Sequence, residues 1–429
     1  MLSVIKAQSK ALNFLEGALV IIVCMMLSDG FRPVIPSWNL LRQGLYVCIF
    51  IAVLFNTKAI LATFFRSPSV VILVLYAFLS YFWSADRAAT VSRSVALFFG
   101  TLFALYFAAR FNTRDQIKLL AIFSLIALVF SVLFVFTIPS VGTAGSVWRG
   151  IFEQKNTFGR AMVICALVAL TYPVETFWGR VGKLVWYLAA IFCIFMSDSM
   201  TSLIIVAVAT LLFYVYRVLR WDALSAFIFT AAGAVPIALL LYGAITLDTD
   251  AFLISIGRNP TLTGRVSVWA NVEYAISERP LMGYGYGGFW KKSEGVYGQL
   301  WSTNSNWQPG SAHNSYLDLW VQLGLFAVII FVASSALMFI QALFHVRRTR
   351  SVEGLFPILY LTFLLILSFS EDFILFNSFA WVLYMAMGFT IAVAMAQDKV
   401  TESEEIEQDV IAFVPSQRRT MTVRRVGLG

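Results

Sequence analysis

Histidine occurs twice in 429 residues, cysteine four times, and charged side chains make up only 13% of the chain. Each scarcity excludes something. No cluster of His, Cys, Asp and Glu with metal-ligand spacing is found, so neither a metal nor another cofactor is expected. Cys24, Cys48, Cys165 and Cys193 all lie inside apolar runs and read as small core residues rather than as disulfides. Against so little charge stand 60% hydrophobic residues and a mean hydropathy of +0.81. A soluble fold could not hide that much apolar surface, so lipid is the solvent for most of the chain. The first apolar run lacks a small-residue cleavage site and is expected to stay as a first span.

What is present is a series of long apolar runs. A span takes about 20 mostly apolar residues, and such runs fall at 11–29, 40–56, 68–83, 92–109, 117–138, 158–173, 184–197, 199–216, 223–246, 314–341, 355–371 and 373–395. The sequence therefore predicts an all-α polytopic membrane protein of about twelve transmembrane helices. Nine belong to 1–246, a large loop occupies 247–313, three more belong to 314–395, and 396–429 is a polar, disordered tail, acidic first and then basic. With both termini cytoplasmic, 19 of the 31 Lys and Arg fall on the cytoplasmic side, as the positive-inside rule requires. The excess positive charge thus fixes topology and meets anionic lipid, and nothing points to nucleic acid.

The long loop is then external, and its formal charge is zero, so its arginines are not part of a generally basic segment. Within it, "TGRVSVWANVEYAISERP" has apolar residues at helical spacing, Thr263 as an N-cap and Pro280 as a stop. Arg265 and Arg279, 14 residues apart, share a side of this helix but lie about 21 Å apart along its axis. A cation at a helix N-terminus is mildly disfavoured, so Arg265 points to a bound anion, whose geometry a guanidinium fork suits. Arg279 serves equally well as a headgroup anchor. The following "GYGYGGFW" offers Tyr284, Tyr286 and Trp290 either as an interfacial aromatic belt or as flat faces for a sugar chain.

His313 opens the tenth span on the external side. Histidine is the natural general base near neutral pH, and Asn314 or Asp318 is placed to orient the ring; the spacing does not decide which. An earlier external loop, "WRGIFEQKNTFGR", carries Arg149, Lys155 and Asn156 at the mouth of a span, with Arg160 just inside it. An ionisable group at that depth is a functional candidate, with snorkelling to the interface as the alternative. His345 sits beside Arg347 at a cytoplasmic helix end, where a helix-end role suffices.

"WRGIFEQKNTFGR", "SDSMTSL", "TGRVSVW" with "ERPLMGYGYGGF", and "AHNSYLDLWVQLG" together resemble the successive motifs of the O-antigen ligase and polysaccharide polymerase superfamily. The resemblance covers about 148–325, and its wording is more similar to exopolysaccharide polymerases of the succinoglycan type than to typical lipid A-core ligases. It implies a GT-C-like glycosyltransferase of the bacterial inner membrane with its site facing the periplasm. It further implies inverting, metal-independent transfer from an undecaprenyl-diphosphate-linked oligosaccharide to a hydroxyl of a growing polysaccharide, with a chain-length regulator as a further partner. Carried over by position, it makes His313 and Arg265 catalytic and points next to Arg149 and Arg279 as contacts of the lipid-linked substrate. The residues themselves add Lys155, Asn156, Arg160, Tyr284, Tyr286, Trp290, Asn314 and Asp318 as candidate substrate contacts. The competing readings are a ligase acting on lipid A-core and, from another class, a flippase for lipid-linked oligosaccharides.

Overall fold

The computed structural model describes residues 2–218, 265–290, 298 and 310–413, with side chains from 13–218, 268–290, 298 and 310–396. Its regular structure there is almost wholly helical. In chain order the helices are α1 (Leu2–Leu27), α2 (Trp38–Phe55), α3 (Thr57–Arg66), α4 (Pro68–Leu79), α5 (Arg87–Arg110), α6 (Thr113–Thr137), the short α7 (Pro139–Gly142), α8 (Lys155–Thr171), α9 (Phe177–Met196), α10 (Met200–Val218), α11 (Arg265–Glu278), α12 (Ser315–Arg348), α13 (Phe356–Leu367) and α14 (Phe379–Phe413). A two-residue ladder, β1 (Thr143–Ala144) with β2 (Val147–Trp148), closes the turn before α8.

Local chemistry accounts for the boundaries. Asp86, Asn112 and Thr176 cap α5, α6 and α9 by accepting from the backbone N–H three residues on. Pro68 opens α4 where its missing N–H is harmless, and it cannot continue α3. The two helices meet at 95°. Every run expected to span carries a helix except 223–246, which lies outside the described residues. The run expected as a span at 68–83 is the second arm of this bent pair.

Among the described residues seven helices are long and apolar enough to cross a membrane, or eight if the bent pair counts as one span. Phe55, Phe65, Phe136 and Trp178 are exposed on the outside of the bundle, which a lipid solvent explains and water does not. The chain is an all-α, multi-pass membrane protein. The backbone of α14 stays helical through Phe413, into the acidic stretch that composition alone assigns to a disordered tail; its Glu and Gln residues are good helix formers.

The loop helix expected from spacing is α11, whose Val268, Val272, Ala275 and Ile276 face is buried. It packs against α12, and the loop after it is threaded into α12 itself. Gly324 breaks that long helix with φ 77°, a left-handed region that favours glycine. A β-carbon there would stand 2.0 Å from the Leu281 carbonyl oxygen. The break would strand backbone groups inside the membrane. The loop satisfies them: Val321 O and Gln322 O accept from the N–H groups of Tyr284 and Gly285, and Leu325 N–H donates to Pro280 O at 2.9 Å. The loop after α11 is thus built into the span.

Candidate functional site at one end of the bundle

Six connecting segments meet at the same end. Phe31 N–H donates to Ile151 O, Ala85 N–H to Tyr284 O, and Ser315 N–H to Ser368 O. Trp83 Nε1 donates to Met282 O at 2.8 Å, Tyr286 Oη to Leu375 O, and Lys155 pairs with Asp198 at 3.0 Å. The last contact joins two motifs. The start of α8 lies so close to the "SDSMTS" turn that a β-carbon on Gly159 would meet Ser202 Oγ at 2.7 Å.

Beneath these segments lies a cavity of about 230 Å³, lined by Asp29, Asn156, Thr157, Arg160, His313, Glu371, Asp372 and Ser378 among others. Ser315 assembles it. Its Oγ donates to Glu371 O at 2.6 Å and accepts from Phe373 N–H at 2.7 Å, which pins the 368–373 turn to the start of α12. Glu371 Oε2 then lies 4.0 Å from His313 Nδ1 and 3.4 Å from Arg160 Nη1. Arg160 is held further by Thr157 Oγ1 at 3.0 Å and by the Phe373 ring, 5.0 Å from its guanidinium carbon. His313 adopts φ 49°, a conformation costly for a residue with a β-carbon and typical of sites where geometry is imposed. Burial pushes the carboxyls of Asp29 and Asp372 above the usual carboxylate range, although nearby Arg32 draws the first down and His313 and Ser311 draw the second down.

The expected site residues divide. His313, Arg160 and Asn156 face the cavity. Arg265 begins α11, and its side chain lies outside the described residues. Arg149 is engaged by the Val141 and Ser140 carbonyls at 2.8 and 2.7 Å. Arg279 lies over the Tyr284 ring at 4.8 Å. Asn314 caps α12, accepting from Tyr316 and Leu317 N–H. Asp318 is buried one turn on, where it accepts from Trp290 Nε1 at 2.7 Å and Gln322 Nε2 at 2.5 Å. The carboxylate 4.0 Å from His313 Nδ1 is that of Glu371, not one of the two residues considered for orienting the ring. Tyr284, Tyr286 and Trp290 are buried; of the three, Tyr286 lines a cavity, distinct from that of His313.

His313, Glu371 and Asp372 each offer one ligand atom within 4.8 Å of the others. A divalent cation could use that spacing, but the Arg160 guanidinium already neutralises Glu371. Sequence spacing gave no such cluster because 58 residues separate the histidine from the acids.

The cavity of Tyr286, about 300 Å³, adjoins the first, sharing Leu27, Asp29, Phe376 and Ser378. Its polar lining is different: among the described residues, Arg32, Arg42 and Arg93 stand with one carboxylate, that of Asp29. No sequence motif marks these three arginines.

Residues 185–332 match the family described as O-antigen ligase. Over 280 residues the chain is 25% identical to the exopolysaccharide production protein ExoQ of Rhizobium meliloti strain 1021, covering 60% of each chain. An uncharacterized protein of Haemophilus influenzae is 33% identical over 107 residues, 24% of this chain and 26% of that one. The chain thus matches less than two thirds of the length of either relative. A solved structure of a peptidoglycan synthase complex aligns at 15% identity with a TM-score of 0.40, covering 76% of this chain and 96% of its own. The family match starts in α9 and ends in α12, so it includes α11, the loop threaded into α12 and His313. Over these stretches the chain is similar to the O-antigen ligase family and to an exopolysaccharide production protein.

Proposed function

We propose that this protein is an inverting, metal-independent glycosyltransferase that polymerises exopolysaccharide repeat units carried on undecaprenyl diphosphate at the periplasmic face of the inner membrane. The observation that carries this reading is His313, held in a strained conformation with Glu371 beside its Nδ1 at the mouth of a cavity rich in carboxylates. Nδ1 faces the carboxylate, so Nε2 is left for an acceptor hydroxyl. That oxygen attacks the anomeric carbon as the bond to the diphosphate breaks, and its proton passes to the imidazole. Glu371 then stabilises the imidazolium. An apo distance of 4.0 Å fits a contact that tightens with substrate. The carboxylates of Asp29 and Asp372 suit sugar hydroxyls as hydrogen-bond acceptors. Arg265 remains a candidate for the departing diphosphate.

In this reading twelve spans leave both termini cytoplasmic, and the assembled end faces the periplasm. A reporter fused after Trp301 is expected to report the periplasm and one after Arg350 the cytoplasm; both on the same side would remove the topology.

The function is tested by the lipid-linked intermediates of a strain lacking this protein. Single repeats are expected to accumulate. Long lipid-linked chains would instead indicate a ligase, the activity for which the matched family is named. Repeats confined to the cytoplasmic face would indicate a flippase. Undiminished transfer by the purified protein in EDTA is expected; its loss would make His313, Glu371 and Asp372 a metal site.

A further inference from the structure

We infer that Trp269 and Asp318 are positioning residues, which hold His313 in the backbone conformation that brings its ring to Glu371; this rests on the glycosyl-transfer reading above. A residue with a β-carbon stays in the left-handed region only where its surroundings impose it. Ser315 fixes the Glu371 half of the pair; the histidine half needs a separate hold. Ala312 supplies it. Its carbonyl oxygen accepts from Trp269 Nε1 of α11 at 2.9 Å, and its N–H donates to Asp318 Oδ1 of α12 at 3.3 Å. That carbonyl belongs to the peptide plane from which φ of His313 is measured. Asn314 fixes the other side as the cap of α12. Relaxation of His313 from φ 49° to an ordinary helical value would turn its Cα–Cβ bond by about 110° relative to that plane. The ring would leave Glu371.

The surroundings of the two residues support the same assignment. Asp318 is buried, and three donors converge on its carboxylate: Ala312 N–H, Trp290 Nε1 at 2.7 Å and Gln322 Nε2 at 2.5 Å. A carboxylate so occupied has little capacity left for a sugar hydroxyl. Neither Asp318 nor Trp269 lines either of the two cavities described above. Gln322 extends the hold, since its Oε1 accepts from Gly287 N–H at 2.6 Å. Ala312 itself is fully buried in the apolar cluster that α11 forms with Tyr284, Phe289, Trp290 and Val321, a cluster separate from the main core.

A packed helix face and one indole N–H therefore tie the position of α11 to the direction of the His313 ring. Misplacing a reacting group by about 1 Å can cost about 10²-fold in rate. Loss of the hold on Ala312 is thus expected in the rate of transfer rather than in the affinity for substrate.

The test uses the full-length protein in liposomes, labelled with ¹³C-histidine for solid-state NMR. Only two histidines contribute, and His313→Ala identifies the His313 signals, whose Cα and Cβ shifts report its backbone conformation. Trp269→Phe keeps a ring but removes the N–H. It should move the His313 signals and leave those of His345 in place. With purified protein and lipid-linked repeats, kcat should fall about 10²-fold while KM stays within about twofold. Asp318→Asn sets an amide N–H against one of the three donors and should act in the same direction. Adding Gln322→Glu reverses donor and acceptor in that pair, and should return the signals and most of kcat. Thermal unfolding checks that each variant is folded. Unmoved His313 signals in either folded single variant would overturn the inference. So would moved signals with an unchanged kcat, or no return on adding Gln322→Glu. Transfer by His313→Ala tests the base itself: a near-normal rate there removes the base whatever the signals show, so the two readings fail by different results.

Discussion

His313→Ala is expected to abolish polymer while leaving lipid-linked single repeats to accumulate and protein level close to normal. A general base contributes about 10²–10⁴-fold, and a processive polymer multiplies any per-step deficit over many additions. The fold should tolerate the change. The ring is partly exposed in the cavity, its Nδ1 has no hydrogen-bond partner among the described residues, and its removal empties no packed core. His345→Ala, at the opposite end of α12, is the control and should leave polymer unchanged. If purified His313→Ala protein extends lipid-linked repeats at near the wild-type rate, His313 is a packing residue. The base would then have to be sought among Asp29, Glu371 and Asp372.

The second large effect concerns Arg160 and Glu371, which are mostly buried beside each other. Removing either partner strands the other. Arg160→Gln leaves Glu371 beside Asp372 without its cation, and Glu371→Gln leaves a guanidinium without its carboxylate. Each is expected to destabilise by about 2–4 kcal/mol, near or below the usual cost of breaking a buried pair because both side chains keep some exposure. Combining the two should restore most of the stability, because no unpaired charge remains, and double-mutant additivity measures this. Activity should not return. The double variant still lacks the carboxylate beside His313 and is expected to polymerise at least about 10²-fold more slowly than wild type, at the lower range for an orienting partner in proton transfer. A stable double variant with near-normal activity would show that the pair only ties α8 to the turn before α14.

Much of this was legible in the sequence, and the exceptions have physical reasons. Apolar runs marked the helices because a hydrocarbon layer of about 30 Å imposes a length. The α11 face followed from helical spacing, and His313 stood out by rarity and position. Its partner did not. Glu371 and Asp372 lie 58 and 59 residues further along, and only the bond network around Ser315 brings them to the ring. Asn314 and Asp318 were nearer in the chain, but one closes a helix end and the other turns toward Trp290. Arg32, Arg42 and Arg93 are spread over three helix approaches, so no local pattern marks them as a group. The aromatics of "GYGYGGFW" looked like a surface platform because nothing in the apolar run of α12 announces the break at Gly324 that lets the loop in.

That break also sets an order of events. Ser80 Oγ accepts from Tyr286 N–H and Trp83 donates to Met282 O, across 206 and 199 residues of chain. At about 5–20 residues per second, the turn before α5 leaves the ribosome roughly 10–40 s before those partners exist. Through that interval the N-terminal helices sit in the bilayer with polar groups waiting. They are answered only when α12 inserts and the loop settles across Gly324. A nascent chain therefore has no assembled site. Competence arrives late, with the same contacts that complete the fold.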